Sequence, residues 1–325
     1  TTVQATLLVN GTARDSGTWN GSDWGAAGAT RQISLGYDAV SDSTNVYGYT
    51  IQVVGITAGV QTTIATDSGQ LVVVNRSQSP FGAGWWLAGL DQLIAQPDSA
   101  WLFVGGDGST RVYTPVPGQP AEWTAPQVDH RDLLQLISGD YVQVLPGGLR
   151  VHFDAAGRHT STVNRLGHVT TFAYDATCHQ LSTITTPIGA LTYTFAYTTY
   201  GTPPCGNRRL ASVTAPPIGT QTRVVTLTPT SSGQVTQIAD VDSSTVHFGY
   251  DTTWPTRIIS RTNELGKVVT VAYDAAALVH QVRDSMDTAP AIVTTYTNAA
   301  TLGLQGGAAV DTAQVYTLVN GPRTD

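Results

Sequence analysis

The side chains able to act as acid, base, nucleophile or ligand are scattered rather than clustered along this chain. Histidines fall at His130, His152, His159, His168, His179, His247 and His280, with serines and aspartates on every side. A Ser-His-Asp set for acyl transfer can be assembled from these residue types, but no spacing selects one. Cys178-His179 and Cys205 lack the paired Cys-x-x-Cys spacing of a zinc site. The two thiols read either as free or as a disulfide, and a disulfide requires an oxidising compartment. Asp107, Asp240 and Asp242 lie beside Gly and Ser and could offer oxygens to calcium, yet a strand-end turn uses Asp for its own backbone hydrogen bonds. Gly82-Ala83-Gly84 is followed by Trp85-Trp86 instead of the helix that a dinucleotide fingerprint needs. No catalytic residue, metal or cofactor is expected, and the chain reads as non-enzymatic.

The elements that carry these residues repeat. Phe153, Tyr174, Tyr197, Tyr250, Tyr273 and Tyr296 form a column with most steps of about 23 residues, a spacing that marks a repeat array. Leu227 fills the gap between Tyr197 and Tyr250. In the unit Val169 to Gly189, apolar and polar residues alternate up to Tyr174, a polar turn follows, and Leu181 and Ile184 begin a second short strand, which describes a β-hairpin. Asp154, Asp175, Asp251 and Asp274 follow their aromatics directly, where a carboxylate accepts backbone N–H groups of the turn it opens. In Phe153-Asp154-Ala155-Ala156-Gly157-Arg158 the glycine supplies the left-handed conformation that closes the loop. A lone hairpin cannot bury its apolar side, so the units must stack edge to edge into one long, curved sheet with the column on one face. Cys178 and Cys205 follow Tyr174 and Tyr197 of successive units, so stacking brings their turns together and a disulfide is expected.

Composition agrees with an all-β chain. Charged residues are 12% of the sequence, about half the usual share. The 16 basic against 23 acidic residues leave no basic footprint for nucleic acid. No apolar run approaches the roughly 18 residues of a membrane helix, and the opening TTVQATLLVNG lacks the marks of a signal peptide. The only Met is Met286, and LVNGPRTD closes the sequence straight after a strand-like run. A piece of a longer chain is expected. Its strand-like end, Val315 to Val319, would offer an open edge to the rest of that chain or to another copy.

Residues 1–80 carry strand-like runs at Val3 to Val9, Arg31 to Leu35, Gly48 to Val54 and Gly69 to Val74, divided by turn signals such as Asn10-Gly11 and Asn20-Gly21, the pattern of a small β-sandwich. These Asn-Gly sites and Asn75-Arg76-Ser77 match the glycosylation sequon, and they read as turns. Residues 81–148 hold the junction, where Gly82 and Gly84 turn the backbone and Trp85 and Trp86 plug the seam between sandwich and array. A hairpin follows around Gly105-Gly106-Asp107-Gly108, and then a Pro-rich stretch from Val116 to Asp132 reads as a long loop. Residues 149–325 are the array.

The Tyr-Asp turns at Tyr174, Tyr250 and Tyr273, the spacers Asn164-Arg165-Leu166-Gly167 and Asn263-Glu264-Leu265-Gly266, and the junction SPFGAGWWLAGL together resemble the RHS/YD-repeat proteins over about residues 75 to 300. Tyr197-Thr198, Leu227-Thr228 and Tyr296-Thr297 depart from the pattern. The resemblance implies a strip of hairpins wound into a hollow shell, as in teneurins, toxin-complex cocoons and bacterial polymorphic toxins, where the shell often encloses a C-terminal toxin. The Asp-Pro-x-Gly core segment that cleaves such chains is absent from this sequence, so no self-cleavage is implied. Two functions remain: a structural segment of a secreted or surface-displayed shell that encloses or presents another polypeptide, or an extracellular module that binds glycans or proteins through the N-terminal domain or the outer turns.

Overall fold

Alternation of apolar and polar residues makes β1 (Thr2–Val9) a strand with one buried face, Val3, Ala5, Leu7 and Val9. In this computed structural model, which describes residues 2–24, 35–37, 39–125, 132–274, 279–285, 292–297 and 318–320, every regular element is a strand apart from two 3-10 turns, Gly21–Trp24 and Pro97–Ser99. The chain divides into two units, Thr1–Val73 with Val268–Asp325, and Val74–Lys267.

In the first unit β1 joins β2 (Thr12–Asn20), β3 (Asn45–Thr57) and β4 (Val60–Val73) in one antiparallel sheet of order β2-β1-β3-β4. Asn10-Gly11 and Ala58-Gly59 close its hairpins as two-residue turns, the geometry that matches strand twist. Trp19 is buried against Ala5, with Leu35 and Val53 packed on the pair. The strand expected from 69 to 74 is longer at its start. Thr62, Thr63, Ile64 and Thr66 are β-branched and extend β4 back to Val60, as such side chains favour. Of the run expected from Arg31 to Leu35, residues 31–34 lie outside the described residues.

The second unit is a meander. Its strands are β5 (Gln92–Ala95), β6 (Trp101–Val104), β7 (Thr110–Val116), β8 (Gln119–Thr124), β9 (Leu133–Ile137), β10 (Asp140–Val144), β11 (Arg150–Phe153) and β12 (His159–Val163). They continue as β13 (Val169–Tyr174), β14 (Leu181–Thr185), β15 (Thr192–Tyr200), β16 (Asn207–Ile218), β17 (Gln221–Pro229), β18 (Val235–Ala239), β19 (Thr245–Tyr250) and β20 (Ile258–Thr262). Each pairs antiparallel with the next. The Pro-rich stretch is therefore not a long loop: β8 lies within it, and residues 126–131 lie outside the described residues. Pro120 of β8 is accommodated because it falls in the register shift of the β7–β8 pair, between Gln119, opposite Val116, and Trp123, opposite Pro115, where the ladder is already interrupted.

The same device recurs at the aromatic column. A register shift falls immediately before Phe153, Tyr174, Tyr197 and Tyr250, which then pair with His159, Leu181, Leu210 and Ile258. A bulge bends its strand and increases local twist, so each repeat adds a bend at its Tyr-Asp end. One member of the column is corrected. The fourth shift precedes Pro229, opposite Val235, so Pro229-Thr230 and not Leu227-Thr228 holds that place. The sequence hides this because proline at a strand end does not look like an aromatic.

In the first unit β21 (Val268–Tyr273), β22 (Val279–Asp284), β23 (Ile292–Thr297) and β24 (Leu318–Asn320) also pair in succession. A shift again precedes Tyr273, opposite Val279, while Tyr296 pairs with Val319. The turn after Asp274, residues 275–278, lies outside the described residues, as do Val315, Tyr316 and Thr317 of the expected terminal strand.

A disulfide joins Cys178 to Cys205, with Cα atoms 5.3 Å apart and a sequence separation of 27, and so ties the Tyr174 turn to the Tyr197 turn. Closing a loop of this size stabilises the fold by about 3 kcal/mol in the chain-entropy model. Replacing both cysteines by serine should lower the unfolding free energy by about that amount in chemical denaturation. Unreduced, denatured protein should show no titratable thiol.

Candidate functional site

The residues that converge are those of the Tyr-Asp turns and of the segment from Arg76 to Leu93. At the turns opened by Asp154, Asp175, Asp251 and Thr230 that side chain closes on its own backbone, whereas Thr198 lies within β15. Asp154 Oδ1 accepts the N–H groups of Ala156 and Arg158, both at 2.9 Å, and Arg158 Nε donates to Oδ2 at 2.7 Å. Asp175 accepts from Cys178 at 2.6 Å and Gln180 at 3.0 Å. Asp251 accepts from Thr253 at 2.7 Å and Trp254 at 2.9 Å. Thr230 takes the role after Pro229, its hydroxyl accepting the Gln234 N–H at 3.1 Å. At the opposite ends of the hairpins Asn164 and Asn263 form the same loop, each accepting from residues two and four further on. Burial pushes the Asp175 carboxyl up, but the N–H groups of Cys178 and Gln180 and the Arg208 guanidinium outweigh it and hold it below the usual range. The N–H groups of Trp254 and Thr253 hold Asp251 low as well.

Three of the column tyrosines, Tyr174, Tyr197 and Tyr250, are tied to the preceding repeat by hydrogen bonds. Each hydroxyl reaches back one repeat and donates to the carbonyl of the residue that opens that repeat's second strand. Tyr174 donates to His159 O at 2.9 Å, Tyr197 to Leu181 O at 2.8 Å, and Tyr250 to Val235 O at 2.9 Å. Arginines that end the turns cover neighbouring rings, Arg158 over Tyr174 and Arg208 over Tyr197. Burial raises the pKa of Tyr174 and Tyr197 well above that of a free phenol, so both hydroxyls remain donors at any physiological pH.

Across these turns runs the junction. Leu210 N–H donates to Pro80 O at 2.7 Å, Ala83 N–H to Gly233 O at 2.7 Å, and Leu93 N–H to Gly157 O at 2.9 Å. Trp85 packs edge-on against Phe248 at 5.1 Å and donates through Nε1 to the Tyr250 hydroxyl at 3.0 Å. Trp86 packs on Phe81 at 5.3 Å and donates to Leu90 O at 2.7 Å. Phe81 and Leu90 share a core with Leu181, Phe195 and Leu210. Trp85 thus packs against a repeat of the array, while Trp86 is held by the junction's own Phe81 and Leu90. Gly82 stands at φ +126°, and a Cβ there would meet Val235 Cγ2 at 2.6 Å. Gly84 is likewise at positive φ, beside Thr256. Between Gln78 and Leu93 the segment touches repeats beginning at Phe153, Tyr174, Tyr197, Pro229 and Tyr250.

Several residues of this arrangement carry no sequence motif. The Arg209 side chain is almost fully buried. Its guanidinium donates to the carbonyls of Gln78 and Ser79 at 3.1 and 2.8 Å and to Gln78 Oε1 at 3.3 Å, and burial lowers its pKa. His159 accepts the Asp91 N–H on Nδ1 at 3.2 Å. Its proton therefore lies on Nε2, facing Thr162 Oγ1 at 2.8 Å. Earlier in the sheet, Tyr113 Oη donates to Asp132 Oδ2 at 2.5 Å and accepts from Gln143 at 2.8 Å, while Arg111 lies 3.4 Å from the same carboxylate. A pairing of buried polar residues from two strands and a loop leaves no local signature.

The aspartates weighed for calcium are occupied structurally. Asp107 and Asp242 accept the N–H groups of Ser109 and Ser244, and Asp240 accepts that of Val241. Among the described residues no three His, Cys, Asp or Glu side chains gather as a metal site. His130 lies outside the described residues.

These repeated Tyr-Asp hairpins define a repeat-array protein. The RHS Repeat family profile matches residues 153–191, the first two turns of the column, and the chain is an RHS/YD-repeat protein. No protein of curated function matches it. Among solved structures it is similar to "TcdB2-TccC3-TEV", at 11% identity and a TM-score of 0.30, over 89% of this chain and 21% of that one. It is also similar to a Tc holotoxin pore of Photorhabdus luminescens, at 10% identity and a TM-score of 0.25, over the same shares of each chain. The chain thus spans about a fifth of the length of those chains, and likeness of this degree carries no argument about activity or partners.

Two outcomes follow from the buried groups. Burial lowers the His159 pKa to about 4, so between pH 6.5 and 4 the unfolded imidazole binds a proton that the folded one refuses. Stability must fall as pH drops through that window. Between pH 7 and 4.5 the native protein should lose about 2 kcal/mol more than His159→Phe in urea unfolding. Tyr250→Phe leaves both Val235 O and Trp85 Nε1 without a partner and should cost about 1–2 kcal/mol, while Tyr250→Ala should cost on the order of 3 kcal/mol.

Proposed function

We propose that this chain is a section of a non-enzymatic β-shell, part of a longer secreted or surface-displayed protein whose repeats enclose or present another polypeptide, of the toxin-delivery type. The observation that carries this reading is the uniform use of functional groups. The hydroxyls of Tyr174, Tyr197 and Tyr250 hold one repeat to the one before it, and Asp154, Asp175 and Asp251 close their own turns, which suits a wall. In this reading residues 1–80 are an N-terminal domain, 81–148 hold the junction and leading strands, and 149–325 are the array. The Cys178–Cys205 disulfide supports an oxidising, extracellular setting. No helix among the described residues is long and apolar enough to cross a membrane.

A second reading is an extracellular binding module. A 130 Å³ cleft beside the Tyr174 turn is lined by Trp86, Tyr174, Arg158 and Gln180, and Gln180 Oε1 there is buried without a hydrogen-bond partner. Aromatic faces beside polar groups suit the mixed surface of a sugar ring. Limited proteolysis of the protein that carries this array separates the two. Enclosure predicts that the polypeptide downstream of the array resists trypsin under conditions that digest the same polypeptide when free. Digestion at equal rates, together with selective retention of the 325-residue chain on a glycan array, would favour the binding module.

A further inference from the structure

A cavity of about 280 Å³ opens beside the hairpin that joins β6 to β7. Phe103, Leu145, Leu149 and Val151 make one side of it apolar, while Asp91, Asp107, Arg111 and Gln143 bring polar groups to it. Gln143 is 1% exposed, and its Nε2 is taken up by the Tyr113 hydroxyl at 2.8 Å and Asp132 Oδ2 at 3.3 Å. Those two acceptors fix the orientation of the amide. Its Oε1 receives no hydrogen bond among the described residues and is left as a bare acceptor in the cavity wall. Such an oxygen destabilises the fold until a donor reaches it.

Charge is unbalanced at the same place. Asp91 accepts the Gly106 N–H at 2.8 Å on one oxygen, and burial raises its pKa, a cost that a neighbouring positive charge removes. Arg111 cannot supply that charge to Asp91 alone, since its Nε lies 3.4 Å from Asp132 Oδ2 and its field also acts on Asp107. Arg76 is fixed to the carbonyls of Gly105 and Gly106, at 2.7 and 3.3 Å. Three carboxylates, Asp91, Asp107 and Asp132, thus share two guanidiniums, and one negative charge remains in excess.

We propose that this cavity binds a protonated primary amine on an aliphatic stem, the chemistry of a lysine side chain or of a small free alkylamine. An ammonium carries three N–H donors and one positive charge, which matches the acceptors at Gln143 and Asp91 and the single charge in excess. Its stem lies along the apolar wall, as lysine methylenes do on apolar surface. A divalent metal fits less well, because no three His, Cys, Asp or Glu side chains gather among the described residues and the apolar wall offers it no oxygen. A neutral sugar would leave the excess charge uncompensated. The proposal goes beyond both readings of the array and rests on neither.

Titration calorimetry of the 325-residue chain with Nα-acetyl-lysine amide and with n-pentylamine tests it. At least one should bind with a dissociation constant of roughly 0.1–1 mM, and which of the two binds distinguishes a peptide side chain from a free amine. Nα-acetyl-norleucine amide, which has the stem without the charge, should bind at least tenfold more weakly. Asp91→Asn keeps an acceptor for the Gly106 N–H and removes the charge, so it should weaken amine binding at least tenfold with an unchanged near-UV circular dichroism spectrum. Asp107→Asn, at the exposed mouth, should weaken it several-fold and serves even if Asp91→Asn does not fold. Absence of binding by both amines would overturn the proposal. So would a norleucine analogue that binds as well as the amines, binding of D-glucose in their place, or amine binding indifferent to both aspartate substitutions.

Discussion

A β-hairpin cannot bury its own apolar side, and the second unit meets that constraint with its own chain. The segment from Gln78 to Leu93 is laid across five consecutive column turns and bonded to three of those repeats through backbone groups. Its bonds from Leu210 to Pro80, Ala83 to Gly233 and Leu93 to Gly157 fall on different repeats, so the repeats are tied to one strap as well as to their neighbours. Phe81 and Leu90 fill the apolar side that the hairpins would otherwise expose. The buried Arg209 guanidinium follows from the same constraint. Strap carbonyls turned away from water need donors, and Arg209 supplies them at Gln78 and Ser79.

The bulge before each column residue links local sequence to this packing. The extra residue, Ser182, Ala211 or Ile259, lies on the partner strand and bends it, and at this bend the hydroxyl of Tyr174, Tyr197 or Tyr250 reaches a carbonyl of the preceding repeat. That carbonyl belongs to the residue paired across the previous bulge in each case: His159, Leu181 and Val235. One irregularity, repeated, thus sets the bend, the hydrogen bond and the spacing. The following Asp or Thr completes the unit by satisfying turn N–H groups that would otherwise face water unpaired.

What could be read from the sequence is what is local. The Tyr-Asp hairpins, the Asn-x-Leu-Gly spacers and the hairpin at Asp107-Gly108 rest on contacts within a few residues, so their patterns survive in one dimension. Cys178 and Cys205 could be placed together because the repeat sets their relative position. Proline misled twice, at Pro229 and in β8, because a bulge accepts what a regular ladder excludes. The strap was invisible for a different reason: Trp85 and Tyr250 are 165 residues apart, and Asp91 and His159 are 68 apart. The junction tryptophans were expected to plug the seam between sandwich and array, and nothing near them in sequence points to the packing of Trp85 on Phe248 and Tyr250.

The central claim is that the strap couples distant turns, and native-state hydrogen exchange tests it most directly. Arg209→Ala removes donors to Gln78 and Ser79 and leaves the other strap bonds chemically intact. If the strap acts as one element, the N–H groups of Ala83 and Leu93 should lose protection together with that of Leu210, although they bond to other repeats. Loss confined to Leu210 and its immediate neighbours, with Ala83 and Leu93 exchanging as in the native protein, would contradict the account.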